Sequence, residues 1–364
     1  MKELIRRLQN TDQNLIFTTI ILLLFGLIMI YSSSGIEKSF YYFQKQFIWS
    51  VIGIICFLFF LRLDYNNLRS WIKWLMLISF ILLILVLIFS KKVYGAKRWL
   101  FIGQPSELAK FSLILFWADY LDRRKSRLQY FWKGLIPPLF ITIVYIGSII
   151  VEPDIGIPII IVSVIFILLY VSGVKIRHLI LISSISLIVF FLCILYKPYR
   201  IQRIFAFLDP WKYKEGVGYQ IIQSLLSLGS GGFIGKGLGQ SELKKFYLPG
   251  QHTDFIFSII GEELGIIGTL FIVLVFTYFL YTGFKIAKDA PDLFSKLLAL
   301  GLTLSIVLQA YFNIAVCCSC LPPKGISLPF ISYGGSSLVI TLISIGILAN
   351  ISLKSRKTIK RKRI

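Results

Sequence analysis

Ten long apolar runs constrain what this chain can fold into. They cover residues 14–33, 46–61, 71–89, 106–121, 134–151, 154–173, 178–196, 254–282, 293–318 and 333–352, each bounded by charge, glycine or proline. One helical crossing of a bilayer needs about 20 apolar residues, so ten crossings would use about 200 positions. The chain has 364 residues, 57% of them apolar and only 15% charged; soluble domains carry about 25% charge. A soluble enzyme, a disordered protein and a disulfide-stapled secreted domain are excluded. The expected class is an all-α polytopic membrane protein with about ten transmembrane helices. The second and fourth runs are short enough to tilt or re-enter, and Pro137, Pro138 and Pro158 predict kinks. The first run is long for the core of a secretory signal and has no A-x-A-like site after it, so it reads as a span.

The net charge of +22 reads as cationic loops at a membrane rather than as a nucleic-acid surface. Ten spans put both termini on one side. The loops on that side, with the two termini, hold 23 Lys and Arg; the opposite short loops hold seven and the long segment 197–253 holds eight. Short-loop bias sets orientation, so the termini are expected in the cytoplasm and 197–253 outside. One transmembrane domain, 1–353, is then followed by a basic cytoplasmic tail, 354–364, attracted to anionic membrane lipids. Within the long segment, Tyr219 to Leu228 spaces Ile221, Ile222, Leu225 and Leu226 as a short interfacial helix does. The whole segment is expected to fold as a cap.

Several tempting motifs carry nothing. Cys317, Cys318 and Cys320 cluster, but no partner stands at a zinc-site spacing. The run Gly229 to Gly239 lacks the Lys-Ser/Thr ending of a phosphate-binding loop, since Gly237 stands in the hydroxyl position. It reads as a flexible turn.

Charged groups at membrane depth are costly and need a partner or a purpose. Glu107 and Lys110 lie three apart on one helical face, as a structural ion pair would. Asp154 follows Pro153 at the start of a span, where Asp commonly caps a helix. Glu262 and Glu263 fall about two turns into the eighth span, so at least one should face the interior or a wet cavity. Asp119 near the other membrane face is unremarkable. The richest stretch runs from Tyr247 to Phe257, where Pro249 and Gly250 stop one segment and Thr253 or Asp254 opens a helix of about 28 residues beside His252. A carboxylate at a helix N-terminus is stabilised in its ionised form, and a fixed carboxylate can take a proton from a hydroxyl. Capping and general-base roles for Asp254 are equally open on spacing alone. Arg98, Arg200, Arg203, Lys244 and Lys245 share its side; they could hold a diphosphate or simply meet lipid head groups.

Four blocks then resemble one family. They are Gly95-Ala-Lys-Arg-Trp-Leu100 with Pro105-Ser-Glu-Leu-Ala-Lys110; Glu152-Pro-Asp-Ile-Gly156; Phe207-Leu-Asp-Pro210 through the glycine run to His252-Thr-Asp-Phe-Ile-Phe-Ser258 and Gly261-Glu-Glu-Leu-Gly265; and Leu328-Pro-Phe-Ile-Ser-Tyr-Gly-Gly-Ser-Ser337. In this order, over nearly the whole chain, they resemble the SEDS (FtsW/RodA) peptidoglycan glycosyltransferases. The wording around Tyr219 and Glu262 is closer to the FtsW branch. The resemblance implies that Asp254 is the essential carboxylate and that Trp99, Glu107, Lys110 and Asp154 line the same outer cavity. Ser332 to Ser337, Tyr333 among them, match the signature loop beside it, and Arg98, Arg203, His252 and Thr253 join the substrate-binding set. The sequence departs from the family at Gly250 (usually Glu), Glu152 (usually Gln), Pro158 (in a Thr-Ala position) and the cysteine cluster.

The resemblance also implies the chemistry: lipid II, a disaccharide-pentapeptide on undecaprenyl diphosphate, is polymerised on the outer face of the bacterial cytoplasmic membrane during cell division. Asp254 activates the sugar 4-hydroxyl, and Arg98, Lys110, Arg203 or a divalent cation (Mg or Mn) offsets the leaving diphosphate. The implied partners are a class B penicillin-binding protein transpeptidase and other division proteins, with no nucleic acid. Two rivals stay open from the residues: a flippase for the lipid precursor, and a non-catalytic division scaffold.

Overall fold

The structure is a computed structural model that describes residues 7–33, 39–90, 98–100, 103–242 and 253–362. Among them the chain is helical, with one isolated β-bridge between Leu100 and Gly103. The principal helices are α1 (Gln13–Ser33), α2 (Ser39–Arg62), α3 (Leu68–Phe89), α4 (Pro105–Arg123), α5 (Ile136–Val151), α6 (Gly156–Val171), α7 (Ile176–Leu195), α8 (Pro198–Leu208), α9 (Val217–Ser230), α10 (Ile256–Lys288), α11 (Leu293–Cys317) and α12 (Gly335–Lys362).

All but α8 and α9 fall on the ten apolar runs. Eight helical stretches have the length and apolarity to cross a membrane. The other two depart for local reasons: α6 has only 16 residues, and α4 carries Glu107, Lys110, Asp119, Asp122 and Arg123. The expected proline kinks are displaced. Pro137 and Pro138 sit in the first turn of α5, after a widened turn over Phe131–Leu135, and Pro158 sits in the first turn of α6. There a missing N–H leaves no helical hydrogen bond unmade. Past residue 353 the chain stays helical to Lys362.

The interior is built on α11 and α12, the most deeply buried of the apolar helices, whereas α7 is the most exposed. Apolar positions of α4 (Leu113, Trp117, Leu121), α6 (Ile160, Val164, Leu168) and α11 (Leu298, Leu302) merge into one core. The large apolar side chains left outside, such as Ile180, Leu187 and Phe191 of α7, suit lipid contact rather than water.

Two features of the 197–242 segment differ from the sequence expectation. The helix over Tyr219–Leu228 exists, but its faces are partly exchanged. Ile221 and Ile222 are buried while Leu225 and Leu226 are exposed, and Ser224 and Ser227 turn inward. The serines find partners there: Ser224 Oγ donates to the Cys317 carbonyl at 2.7 Å, and Ser227 Oγ to the Ser258 carbonyl at 2.9 Å.

The glycine run is also not a loose turn; it is bonded into a break in α10. Gly265 has φ +66°, a conformation that glycine adopts without steric penalty, and the helix opens around it. The freed groups are taken by the run. Lys236 N–H donates to the Glu262 carbonyl and Gly237 N–H to that of Glu263, both at 2.9 Å, while Ile266 N–H donates to the Gly232 carbonyl at 3.0 Å. Broken helices at membrane depth persist when neighbouring backbone satisfies them in this way.

Candidate active site

The three loops that precede α4, α6 and α10, and the loop that precedes α12, converge at one end of the bundle. Asp254 stands two residues before α10. Its carboxylate does not cap that helix and, among the described residues, accepts no hydrogen bond. Its backbone carbonyl is pinned instead, accepting from Asn313 Nδ2 at 2.7 Å. Ser332 Oγ donates to the Thr253 carbonyl at 2.5 Å and accepts from the Leu328 N–H at 2.7 Å. The signature loop thus fixes the backbone on which Asp254 rides. Phe330, buried in that loop, holds φ +67°, a strained conformation of the kind that collects at functional sites.

The electrostatics follow from the neighbours. Burial raises the Asp254 pKa, Arg98 and Arg203 oppose that, and Asp154 adds to it; the balance is about 6. Asp154 does cap: its Oδ1 accepts from the Gly156 N–H at 2.9 Å and the Ile157 N–H at 3.4 Å, while its Oδ2 accepts from Gln104 Nε2 at 3.2 Å. Burial raises its pKa too, against Arg98 and the two backbone N–H groups. Arg98 donates to the carbonyls of Glu152 and Pro153. Arg203 Nη1 donates to the Pro323 carbonyl at 3.1 Å.

The remaining residues of the expected set spread around this centre. Glu107 and Lys110 form a buried ion pair at 2.7 Å, bracketed by Gln309, which accepts from Lys110 and donates to Glu107 at 3.4 Å. Glu107 is near enough to Asp154 to raise its pKa. Trp99 is 45% exposed, held by its carbonyl to Ser90 Oγ at 2.9 Å. Tyr333 packs edge-on to Tyr42, with ring centroids 5.0 Å apart. Arg200 is not available to a ligand. It is buried, and its guanidinium donates to the carbonyls of Cys193 and Ile150 and to Tyr199 Oη, tying α8 to the ends of α5 and α7. His252, Lys244, Lys245, Pro249 and Gly250 lie outside the described residues.

Two further ionisable groups, Glu152 and Lys324, lie at this centre. Glu152 is fully buried with neither carboxyl oxygen hydrogen-bonded among the described residues, and burial, reinforced by Asp154 and opposed by Arg98, pushes its pKa to about 8. A buried carboxyl without a partner stays protonated. Lys324 feels the charges of Asp154, Arg203 and Arg200, and its neighbour Gly325 lies against Asp254 and Arg98; a charged residue in an otherwise apolar Pro-rich stretch is the sequence signal for it. Among the described residues no three His, Cys, Asp or Glu side chains converge as a metal-binding set.

The profile of the FtsW/RodA/SpoVE cell cycle proteins matches residues 12–357. The chain belongs to that family. It is 41% identical to stage V sporulation protein E of Bacillus subtilis (strain 168), over 95% of this chain and 98% of the relative. It is 38% identical to a probable peptidoglycan glycosyltransferase FtsW of Geobacter sp. (strain M18), over 96% and 99%. Its fold is similar to a chain of a peptidoglycan synthase complex, studied for the structural coordination of polymerization and crosslinking: TM-score 0.80, 26% identity, 95% and 98% covered. It is also similar to the rod shape determining protein RodA of Thermus thermophilus: TM-score 0.70, 25% identity, 94% and 96% covered. The family expected from the four sequence blocks is therefore the one found.

Proposed function

We propose that this FtsW/RodA/SpoVE protein is a peptidoglycan glycosyltransferase that extends glycan strands from lipid II at the outer face of the cytoplasmic membrane. The observation that carries the mechanism is Asp254: a carboxylate on a pinned backbone, with no hydrogen bond of its own among the described residues, favoured by the charges of Arg98 and Arg203 and with a pKa brought to about 6. A base is most effective with its pKa near the working pH.

In the reaction, Asp254 takes the proton of the acceptor's sugar 4-hydroxyl as that oxygen attacks the anomeric carbon of the growing chain. The bond from that carbon to the undecaprenyl diphosphate breaks on the opposite face, so an α-linked donor yields a β-1,4 product. Negative charge grows on the departing diphosphate, and Arg98 and Arg203, the two cations whose charges act on the Asp254 carboxylate, would offset it. Each also holds a loop carbonyl, which keeps its guanidinium in place before substrate arrives. A divalent cation, Mg or Mn, would share the same task by neutralising the diphosphate; the chain's own contribution is the two arginines.

The lysine and arginine distribution supports an outward-facing site, with ten crossings that include α4 and α6 and with both termini in the cytoplasm. The likeness to a synthase-complex chain supports a crosslinking transpeptidase of the class B penicillin-binding type as partner, and the FtsW relatives support a role in division. The test uses the purified full chain with labelled lipid II. Polymer from the native protein and none from Asp254→Asn is expected; equal polymer from both would remove Asp254 from the chemistry. Lipid movement across a vesicle without polymer would mean a flippase instead.

A further inference from the structure

We propose that Lys324 is a third cation for the substrate's diphosphate, delivered to the site by the Pro323–Gly325 segment. This rests on the glycosyltransferase reading above.

Three consecutive residues each meet a different part of the charged centre. The Pro323 carbonyl accepts from Arg203 Nη1 at 3.1 Å. Gly325 lies so close that an added Cβ would stand 2.9 Å from Asp254 Oδ2 and 3.3 Å from Arg98 Nη1. Lys324 sits between them, half-buried. The segment is anchored on its far side, where the Ile326 carbonyl accepts from Asn313 Nδ2 at 2.6 Å, the same amide group that holds the Asp254 carbonyl. Lys324 is therefore registered to the base through a single asparagine.

Its own ammonium is under-used. Among the described residues it makes no hydrogen bond or ion pair, and it lies 5.4 Å from the Phe190 ring centroid of α7. Burial lowers its pKa to about 8; Asp154 opposes the fall, and Arg203 and Arg200 add to it. A half-buried ammonium with no acceptor among the described residues, repelled by the charges of Arg203 and Arg200, is stabilised by an incoming anion. Phosphate oxygens would supply the acceptors it lacks. A lysine serves as a point charge for phosphate where arginine supplies a fork, so Arg203 and Lys324 can share one diphosphate.

The experiment titrates undecaprenyl diphosphate into the full chain in nanodiscs, with undecaprenyl phosphate and phosphatidylglycerol as comparison probes. Native protein, Lys324→Gln, Lys324→Arg and Asp254→Asn are compared. Lys324→Gln should bind the diphosphate at least about tenfold more weakly, as for one lost charge-assisted contact, and Lys324→Arg should recover most of it. Phosphatidylglycerol should compete weakly with the diphosphate. Equal diphosphate binding by native and Lys324→Gln protein overturns the assignment, as does equal loss in Lys324→Arg. If phosphatidylglycerol competes fully, the cation serves bulk lipid and the assignment fails. The glycosyltransferase reading fails separately, if native protein binds the diphosphate through Lys324 yet makes no polymer.

Discussion

Gly325 and Asp254 are packed so that only a hydrogen fits between them: a Cβ on Gly325 would stand 2.9 Å from the Asp254 Oδ2. Contacts that short force something to move, and the candidates are the base and Arg98. Gly325→Ala should therefore reduce polymer formation by about 100-fold, the penalty for misplacing a reacting group by an ångström. Thermal unfolding should barely change, because the strain falls on a half-buried loop. Gel analysis of glycan products beside a melting curve separates the two effects.

The Asp254 pKa of about 6 gives the reaction an acid limb. A general base works only when deprotonated, so the rate should be level above that pH and fall about tenfold per unit below it. The neighbours set the position of the limb. Arg203→Gln removes a charge that favours the carboxylate, so the limb should move to higher pH. Asp154→Asn removes a repelling charge while keeping a good capping group, so its limb should move lower. Rate–pH profiles of the three proteins check both directions.

Glu152 should make the protein less stable as the medium becomes more alkaline. Its carboxyl is buried without a hydrogen-bond partner among the described residues, with a pKa near 8. An unfolded chain would release this proton near the ordinary glutamate value. Its contribution is thus fully present at low pH and is lost as pH rises from about 5 to about 8. Gln matches the neutral carboxyl in shape and cannot ionise. Melting temperatures of native and Glu152→Gln protein should agree near the acid end and diverge in favour of the variant toward the alkaline end.

The sequence showed the helices because each apolar run is long and interrupted by charge, and Asp254 because Pro249 and Gly250 set it at the head of a span. Periodicity did not reveal which way a helix turns its faces. Ser224 and Ser227 point inward because α10 and α11 offer them acceptors, and that depends on tertiary packing. Arg200 and Arg203 look alike in the chain; only the fold shows that one is used up on carbonyls while the other flanks the base. Lys324 does not stand out in the sequence for a related reason. Its importance comes from Asp254 and Arg203, residues 70 and 121 positions earlier in the chain.

The break in α10 provides a separate test, away from the reacting groups. Glu262 is buried, with its side chain 1% exposed, and accepts from Lys236 Nζ at 3.0 Å, Ser241 Oγ at 2.6 Å and the Glu242 N–H at 3.1 Å. These bonds clamp the glycine run over the opened turn at Gly265. Lys236→Met removes the only side-chain cation paired with Glu262 among the described residues and leaves a buried carboxylate short of a partner. A loss of about 1–3 kcal/mol is expected, the usual penalty for such a group. Adding Glu262→Gln to Lys236→Met should recover part of it, because a neutral amide needs no counter-charge and can still accept from Ser241. If the double variant is less stable than the single one, the lysine acts through packing rather than charge; unfolding in detergent measures the difference.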